Sequence, residues 1–128
     1  MEKKKVMVID DEENALLLVK KILEDKYEVL TLSDATEVLA QVGKFKPDVI
    51  LLDILMPAIG GIEVCQMLSE DPIGKNIPII AFSALERTAV KLKQLKPMVL
   101  DYCIKPVGMH ELIAKIEKVL REAKEQFE

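Results

Sequence analysis

The sequence predicts an α/β fold, a doubly wound parallel sheet of five strands with helices on both faces. Short apolar runs, such as Val6–Ile9 and Val49–Leu52, alternate with helix-length stretches that carry apolar residues at helical spacing. Runs of this kind are typical of parallel strands that are buried on both faces. Five strand–helix units in strict alternation require right-handed crossovers, which place helices on both faces of one sheet.

The expected elements follow one another without a linker or an internal repeat. Strands are expected at 5–9, 28–32, 48–52, 78–82 and 101–104, and helices at 13–25, 35–43, 61–70, 85–95 and 108–125. Ser33-Asp34 is the predicted cap of the second helix and Gly43 is its predicted end. We expect residues 1–128 to be one domain, with no output domain in this chain.

Composition narrows the class of protein. The chain has 50% hydrophobic and 31% charged residues and a net charge of −4, so it predicts a soluble domain and disfavours general nucleic-acid binding. The first apolar stretch stops at Ile9, too early for a signal peptide or a spanning helix, so we expect no membrane association. Cys65 and Cys103 lack metal-finger spacing, and their expected burial fits a reducing cytoplasm.

Polar groups follow four of the predicted strands, at the point where each strand ends. They are Asp10-Asp11, Asp53, Ser83 and Lys105-Pro106. The carboxyl ends of parallel strands lie along one edge of an open α/β sheet, where ligands bind. Three acids, a hydroxyl and an ammonium at one site suit a divalent cation and a phosphoryl group.

The first acidic pair has two interpretations. Adjacent carboxylates repel each other, and a hard divalent cation with oxygen ligands relieves that repulsion most simply. The other interpretation is an acidic helix N-terminus, favoured by the helix dipole. It explains Glu12 and Glu13 but not two acids at a strand end, so we favour a metal role for Asp10 and Asp11.

Asp53 is the candidate nucleophile. An acid after an apolar run is in many cases a helix cap, but Pro57 and the Gly60-Gly61 pair delay the next helix. Asp53 is therefore expected at the tip of the strand, where its carboxylate can attack phosphorus and form an acyl phosphate. A metal ion and Lys105 would then neutralise charge on the equatorial oxygens.

Ser83 and Lys105 complete the candidate site. Ser83 is either the N-cap of the next helix, a donor to a phosphoryl oxygen, or both. A lysine at the end of a core strand normally extends toward water, whereas three acids are expected beside Lys105. Pro106 restricts Lys105 to extended geometry and permits a cis peptide bond.

These motifs, in this order, resemble the receiver domains of two-component response regulators of the chemotaxis-regulator kind. The matching segments are Val-Ile-Asp10-Asp11-Glu, Asp53-Ile-Leu-Met-Pro57 with Gly-Gly-Ile-Glu after it, Ser83-Ala84, and Tyr102 three residues before Lys105-Pro106. The resemblance extends over essentially the whole chain. It implies a flavodoxin-like (βα)5 fold with strand order 2-1-3-4-5.

The resemblance also implies roles for individual residues. Asp53 would accept a phosphoryl group from a histidine kinase or a histidine phosphotransfer protein, with Mg²⁺ or Mn²⁺ as cofactor. The metal ligands would be Asp11, Asp53 and the backbone carbonyl of Leu55, with Asp10 acting largely through water. The domain would assist its own phosphorylation and dephosphorylation without being an enzyme.

A second set of implied roles concerns the switch. Lys105 would pair with the phosphoryl group and form a cis bond to Pro106, Ser83 would move toward that group, and Tyr102 would turn inward. The changed surface would comprise helix 85–95, the last strand and the last helix. That surface would bind a downstream target or an output domain, and it is a candidate for homodimer formation.

Two other classes of function stay open on the sequence. One is a receiver-like binding module that does not respond to phosphorylation. The other is an aspartyl-phosphate hydrolase of the haloacid dehalogenase type. That enzyme class needs a second aspartate two residues after the nucleophile, where this chain has Leu55.

Overall fold

A computed structural model describes residues 3–54, 60–83, 99–104 and 108–127, with side chains at 83, 99, 100, 102, 104 and 124–127 left undescribed. The strands are Lys5–Ile9 (β1), Glu28–Leu32 (β2), Val49–Asp53 (β3), Ile79–Ser83 (β4) and Val99–Ile104 (β5). The α-helices are Glu13–Leu23 (α1), Val38–Phe45 (α2), Gly61–Glu70 (α3) and Met109–Phe127 (the C-terminal helix). Two 3-10 turns occupy Ala35–Glu37 and Gly74–Asn76.

The five strands form one parallel sheet in the order β2-β1-β3-β4-β5, as predicted. The chain therefore moves outward from β1 to one edge, returns to β3 and continues to the other edge. The reversal of direction between β1 and β3 makes a crevice at the carboxyl ends of these two strands, which is where open α/β sheets bind ligands.

Alternation along the strands divides the core into two clusters, one on each face of the sheet. In β1, Met7 and Ile9 belong to the cluster that α2 and α3 cover, and Val6 and Val8 belong to the cluster that α1 and the C-terminal helix cover. Side chains of β3 divide in the same way, and all five of its residues are buried. Burial on both faces explains why the strands appear in the sequence as continuous apolar runs. Within the described ranges, no helix combines the length and the apolarity needed to cross a membrane.

Two details of the predicted second helix are corrected. Gly43 does not end the second helix, which continues to Phe45 and is capped by Lys46 with φ 53° and ψ 63°. The stretch from Ala35 to Glu37 is a 3-10 turn, and Asp34 caps this turn by accepting a 2.9 Å hydrogen bond from the Thr36 amide. Several other predicted boundaries move by one or two residues. The helix predicted at 85–95 lies outside the described residues.

Candidate functional site at the carboxyl edge of the sheet

Sheet register places Asp10 and Asp53 side by side. Ile9 pairs with Leu52 across β1 and β3, so the next residue on each strand path is an aspartate. Asp53 is the last residue of β3, and Asp10 follows β1 directly. Two neighbouring strands in the middle of the sheet therefore deliver one carboxylate each to the same point of the edge.

Asp11 completes a cluster of three acids. Carboxylate oxygens of Asp10, Asp11 and Asp53 all lie within 4.8 Å of one another. Asp10 and Asp53 are only 4% and 5% exposed, whereas Asp11 is exposed. Two of the three carboxylates are therefore buried, and the third lies on the solvent side.

The backbone holds Asp10 in place. Its amide donates a 3.1 Å hydrogen bond to the carbonyl oxygen of Leu32 in β2, which continues the sheet pairing by one residue. Its Oδ1 accepts a 3.0 Å hydrogen bond from the amide of Glu12. Since Glu12 is the N-cap of α1, Asp10 is fixed by the strand on one side and by the start of the helix on the other.

The acidic helix start accounts for only part of this charge. Glu13 lies in the first turn of α1, where a negative charge interacts favourably with the helix dipole. Asp10 and Asp11 lie before the helix, and Asp53 belongs to another strand. The cluster is therefore a product of the tertiary fold, as the metal interpretation expects.

The remaining predicted site residues are only partly placed by the described structure. Ser83 is the last residue of β4 and pairs with Ile104 of β5, so its backbone belongs to the strand instead of following it. Tyr102 pairs with Ala81. Their side chains, and the whole of Leu55, Lys105 and Pro106, lie outside the description.

The described residues suit a hard divalent cation. Magnesium takes oxygen ligands, keeps several waters and is held in proteins by one or two carboxylates together with phosphate oxygens. Three carboxylates within 4.8 Å, one of them exposed, supply such ligands and leave a side open to water. Like charges at this distance repel one another, and a bound cation would relieve that repulsion.

Comparison with known protein families shows which family the chain belongs to. Residues 6–117 match the model of the response regulator receiver domain. The chain belongs to the receiver domain family of response regulators. This span includes all three acids and the whole sheet except Lys5, the first residue of β1, so the match covers the fold and the candidate site together.

Curated relatives point to the same family. The chain is 34% identical to the response regulator PleD of Caulobacter vibrioides, over 91% of this chain and 26% of PleD. It is 36% identical to the transcriptional regulatory protein PhoP of Bacillus subtilis, over 92% of this chain and 49% of PhoP. The chain thus spans half or less of these relatives.

Solved structures agree in fold. The chemotaxis protein CheY4 of Vibrio cholerae matches with a TM-score of 0.83 and 27% identity, over 91% of this chain and 98% of CheY4. A CheY-like receiver domain protein from Methanospirillum hungatei matches with a TM-score of 0.85 and 25% identity, over 98% of this chain and 99% of that one. The receiver fold and two-component family predicted from the motifs are confirmed.

Two features near the site were not predicted. The Gly60-Gly61 pair was taken only as a delay before the next helix, but Gly61 lies against the backbone of Asp53 and Ile54. Leu17 and Leu18 on α1 are each 60% exposed. The sequence held a signal for the leucines, because four consecutive apolar residues from Leu16 to Val19 exceed what one face of a helix can bury.

Proposed function

We propose that this receiver domain is a phosphoacceptor switch in which Asp53 receives the phosphoryl group. One observation carries the proposal: Asp53 ends the central strand with a buried carboxylate whose oxygens lie within 4.8 Å of those of Asp10 and Asp11. The rigid sheet fixes the nucleophile, and the acid pair beside it supplies ligands for a cation that a phosphoryl group needs. The motif match to the family supports the same assignment.

The proposed transfer moves a phosphoryl group from a histidine nitrogen of the donor to a carboxylate oxygen of Asp53. A carboxylate oxygen of Asp53 attacks the phosphorus of a phosphohistidine, and a new P–O bond forms as the P–N bond breaks. The histidine nitrogen leaves with the electron pair and regains its proton from solvent. The product on Asp53 is a mixed anhydride, which water later cleaves to restore the carboxylate and release phosphate.

Asp10, Asp11 and Asp53, together with the carbonyl of Leu55, would hold Mg²⁺ or Mn²⁺. When bound, such an ion neutralises charge on the phosphoryl oxygens and on the carboxylates. Burial of Asp10 and Asp53 lowers the local dielectric constant, so each charge interaction at the site is stronger than it would be in water. Asp11 keeps the site accessible from solvent.

The other assignments rest on the motif match. Lys105 is proposed to pair with the phosphoryl oxygens, Ser83 to donate its hydroxyl to them, and Tyr102 to follow Ser83 as the switch aromatic. The bond before Pro106 is proposed to be cis. The oxygens of the phosphoryl group are satisfied only in the conformation in which these groups reach it. Phosphorylation therefore shifts the population toward that conformation and changes the surface around β5 and the C-terminal helix.

The donor is proposed to be a histidine kinase or a histidine phosphotransfer protein that docks on α1. This helix begins directly after the acid cluster, and Leu17 and Leu18 expose apolar surface on it. Leu18 also lines a cavity of about 470 Å³ that Asp10 borders. Apolar side chains exposed next to a site are candidate anchors for a protein partner. The downstream partner is proposed to be a protein target or an output domain.

Intact-protein mass after incubation with acetyl phosphate tests the proposed function. Wild type and Asp53→Ala are compared, each with magnesium and with chelator. We expect a gain of one phosphoryl group in the wild type with magnesium, and none in the variant or in chelator. No gain in the wild type under any condition would support a phosphorylation-independent binding module. Continuous release of phosphate from a simple phosphate ester, dependent on Asp53, would support a hydrolase.

A further inference from the structure

The first residue of α3 is bonded to the residue that follows Asp53. The Gly61 amide donates a 3.1 Å hydrogen bond to the carbonyl oxygen of Ile54. Gly61 is buried and begins the helix, so this bond joins the exit of β3 to the entry of α3.

No side chain fits at position 61. A Cβ atom there would lie 2.5 Å from the Ile54 Cα and 2.6 Å from the Asp53 carbonyl oxygen. Both are backbone atoms, which cannot rotate away as the end of a side chain does. Ordinary van der Waals contact begins at 3.4 Å, so the two segments would have to separate by about 1 Å.

Neither segment has a free direction in which to retreat. On the strand side, the Ile54 amide donates a 2.9 Å hydrogen bond to the Phe82 carbonyl oxygen, and Asp53 pairs with Phe82 across β3 and β4. On the helix side, α3 inserts side chains into the core. They are Val64, Cys65 and Leu68. Close-packed cores transmit a displacement instead of absorbing it.

We infer that Gly61 is a positioning residue for Asp53. Because Gly61 has no side chain, α3 can dock against the Asp53 peptide and hold the nucleophile in its reactive place. This inference rests on the proposed phosphoacceptor function. A misplacement of about 1 Å at a reacting group can lower a rate by about 100-fold. A side chain at position 61 therefore acts on the chemistry although it touches no ligand.

The neighbouring glycine provides a matched control. A Cβ atom at Gly60 would meet only the Glu63 Oε1 at 3.9 Å, which is ordinary contact. Alanine also forms helices better than glycine, so helix propensity alone favours Gly61→Ala at the start of α3. A loss confined to that variant therefore reports the contact with residues 53 and 54.

The test measures the time course of phosphoryl gain from acetyl phosphate by intact mass, with magnesium, in the wild type, Gly60→Ala and Gly61→Ala. Far-ultraviolet circular dichroism reports the folded fraction of each protein, and the initial rate of phosphoryl gain at saturating donor, divided by that fraction, reports the geometry of folded molecules. We expect a rate constant about 10- to 100-fold lower in Gly61→Ala, half-saturation by the donor unchanged, and Gly60→Ala within about twofold of the wild type. A folded Gly61→Ala protein with the wild-type rate constant would overturn the inference.

A second measurement decides the matter if Gly61→Ala does not fold. Amide hydrogen exchange of the metal-free wild type is followed at Gly61 and Ile54. The inference predicts that both amides are protected and exchange through the same opening event, and a Gly61 amide that exchanges at the rate of an unstructured peptide would overturn it. If the wild type gains no phosphoryl group, the proposed function fails, and the exchange result alone decides whether Gly61 joins α3 to the Asp53 segment.

Discussion

Asp10 and Asp53 occupy neighbouring positions on β1 and β3, both buried, because Ile9 pairs with Leu52 one residue earlier. Two carboxylates that the sequence separates by more than forty residues thus become adjacent through strand order and register alone. The two carboxylates repel each other, and a cation bound between them would relieve that repulsion. The acid cluster therefore couples metal binding to the stability of the fold.

Magnesium is predicted to stabilise the wild type against urea and to stabilise Asp11→Asn much less. At a hundredfold excess over the dissociation constant, the free energy of unfolding should rise by about 2.7 kcal/mol. In chelator, Asp11→Asn should be more stable than the wild type by on the order of 1 kcal/mol or less, because one of three like charges is gone. Equal responses of both proteins to magnesium would remove Asp11 from the metal site.

The exposed leucines of α1 are predicted to serve a protein donor but not a small one. Leu17→Ser/Leu18→Ser should receive a phosphoryl group from acetyl phosphate at the wild-type rate. From a phosphorylated histidine phosphotransfer protein that is active on the wild type, its transfer rate should fall by about tenfold or more, since each lost anchor costs on the order of 1 kcal/mol. Leu39→Ser is the control, because Leu39 is 36% exposed on α2, on the other face of the sheet. Equal rates for all three proteins with both donors would contradict docking on α1.

The left-handed conformation of Lys46 at the end of α2 is predicted to lower the free energy of unfolding. Lys46 has φ 53°, a conformation that glycine adopts without penalty. Lys46→Gly should raise the free energy of unfolding by up to about 1 kcal/mol, measured by urea denaturation. Lys44→Gly, inside the same helix, should lower it by about 1 kcal/mol. A loss of stability in both variants would show that the cap conformation has no cost for lysine.

The two thiols are predicted to be unreactive in the native protein. Burial raises the pKa of Cys65 and of Cys103 to about 12. Unfolded thiols lose their proton near pH 8.5, so between about pH 9 and 12 the unfolded state binds fewer protons and the native state becomes less stable as pH rises. A thiol reagent at pH 8 should label neither cysteine until urea is added.

The alkaline loss of stability should be smaller in Cys65→Ala/Cys103→Ala than in the wild type. Far-ultraviolet circular dichroism during urea titrations from pH 7 to pH 11 measures it. Rapid labelling of either cysteine without urea, or an identical pH profile in the variant, would contradict the assigned burial.

Features of this structure that arise from local residue patterns could be predicted from the sequence. Val6–Ile9 and Val49–Leu52 are apolar because both faces of the sheet are covered, so the strands were found and their ends placed Asp10 and Asp53 at one edge. The end of α2 was misplaced because its sequence signal is ambiguous. Gly43 permits a helix end but does not require one, and Lys46 caps the helix in a conformation that lysine rarely adopts.

Tertiary packing accounts for what the sequence did not reveal. The need for glycine at position 61 comes from the Asp53 carbonyl and the Ile54 Cα, whose proximity exists only after α3 docks on the sheet. Ser83 lies inside β4 because pairing with Ile104 extends the strand to it, although apolar character ends one residue earlier. Neither feature is set by local residue preference, because each depends on how one element packs on or pairs with another.

The central claim is that Asp53 carries the phosphoryl group, and chemical trapping tests it most directly. After incubation with acetyl phosphate and magnesium, borohydride reduces an aspartyl phosphate to homoserine, and peptide mass spectrometry locates that residue. The account predicts homoserine at position 53 and nowhere else, and none in chelator. Homoserine at position 10 or 11, or a phosphorylated protein with an unmodified Asp53, would contradict it.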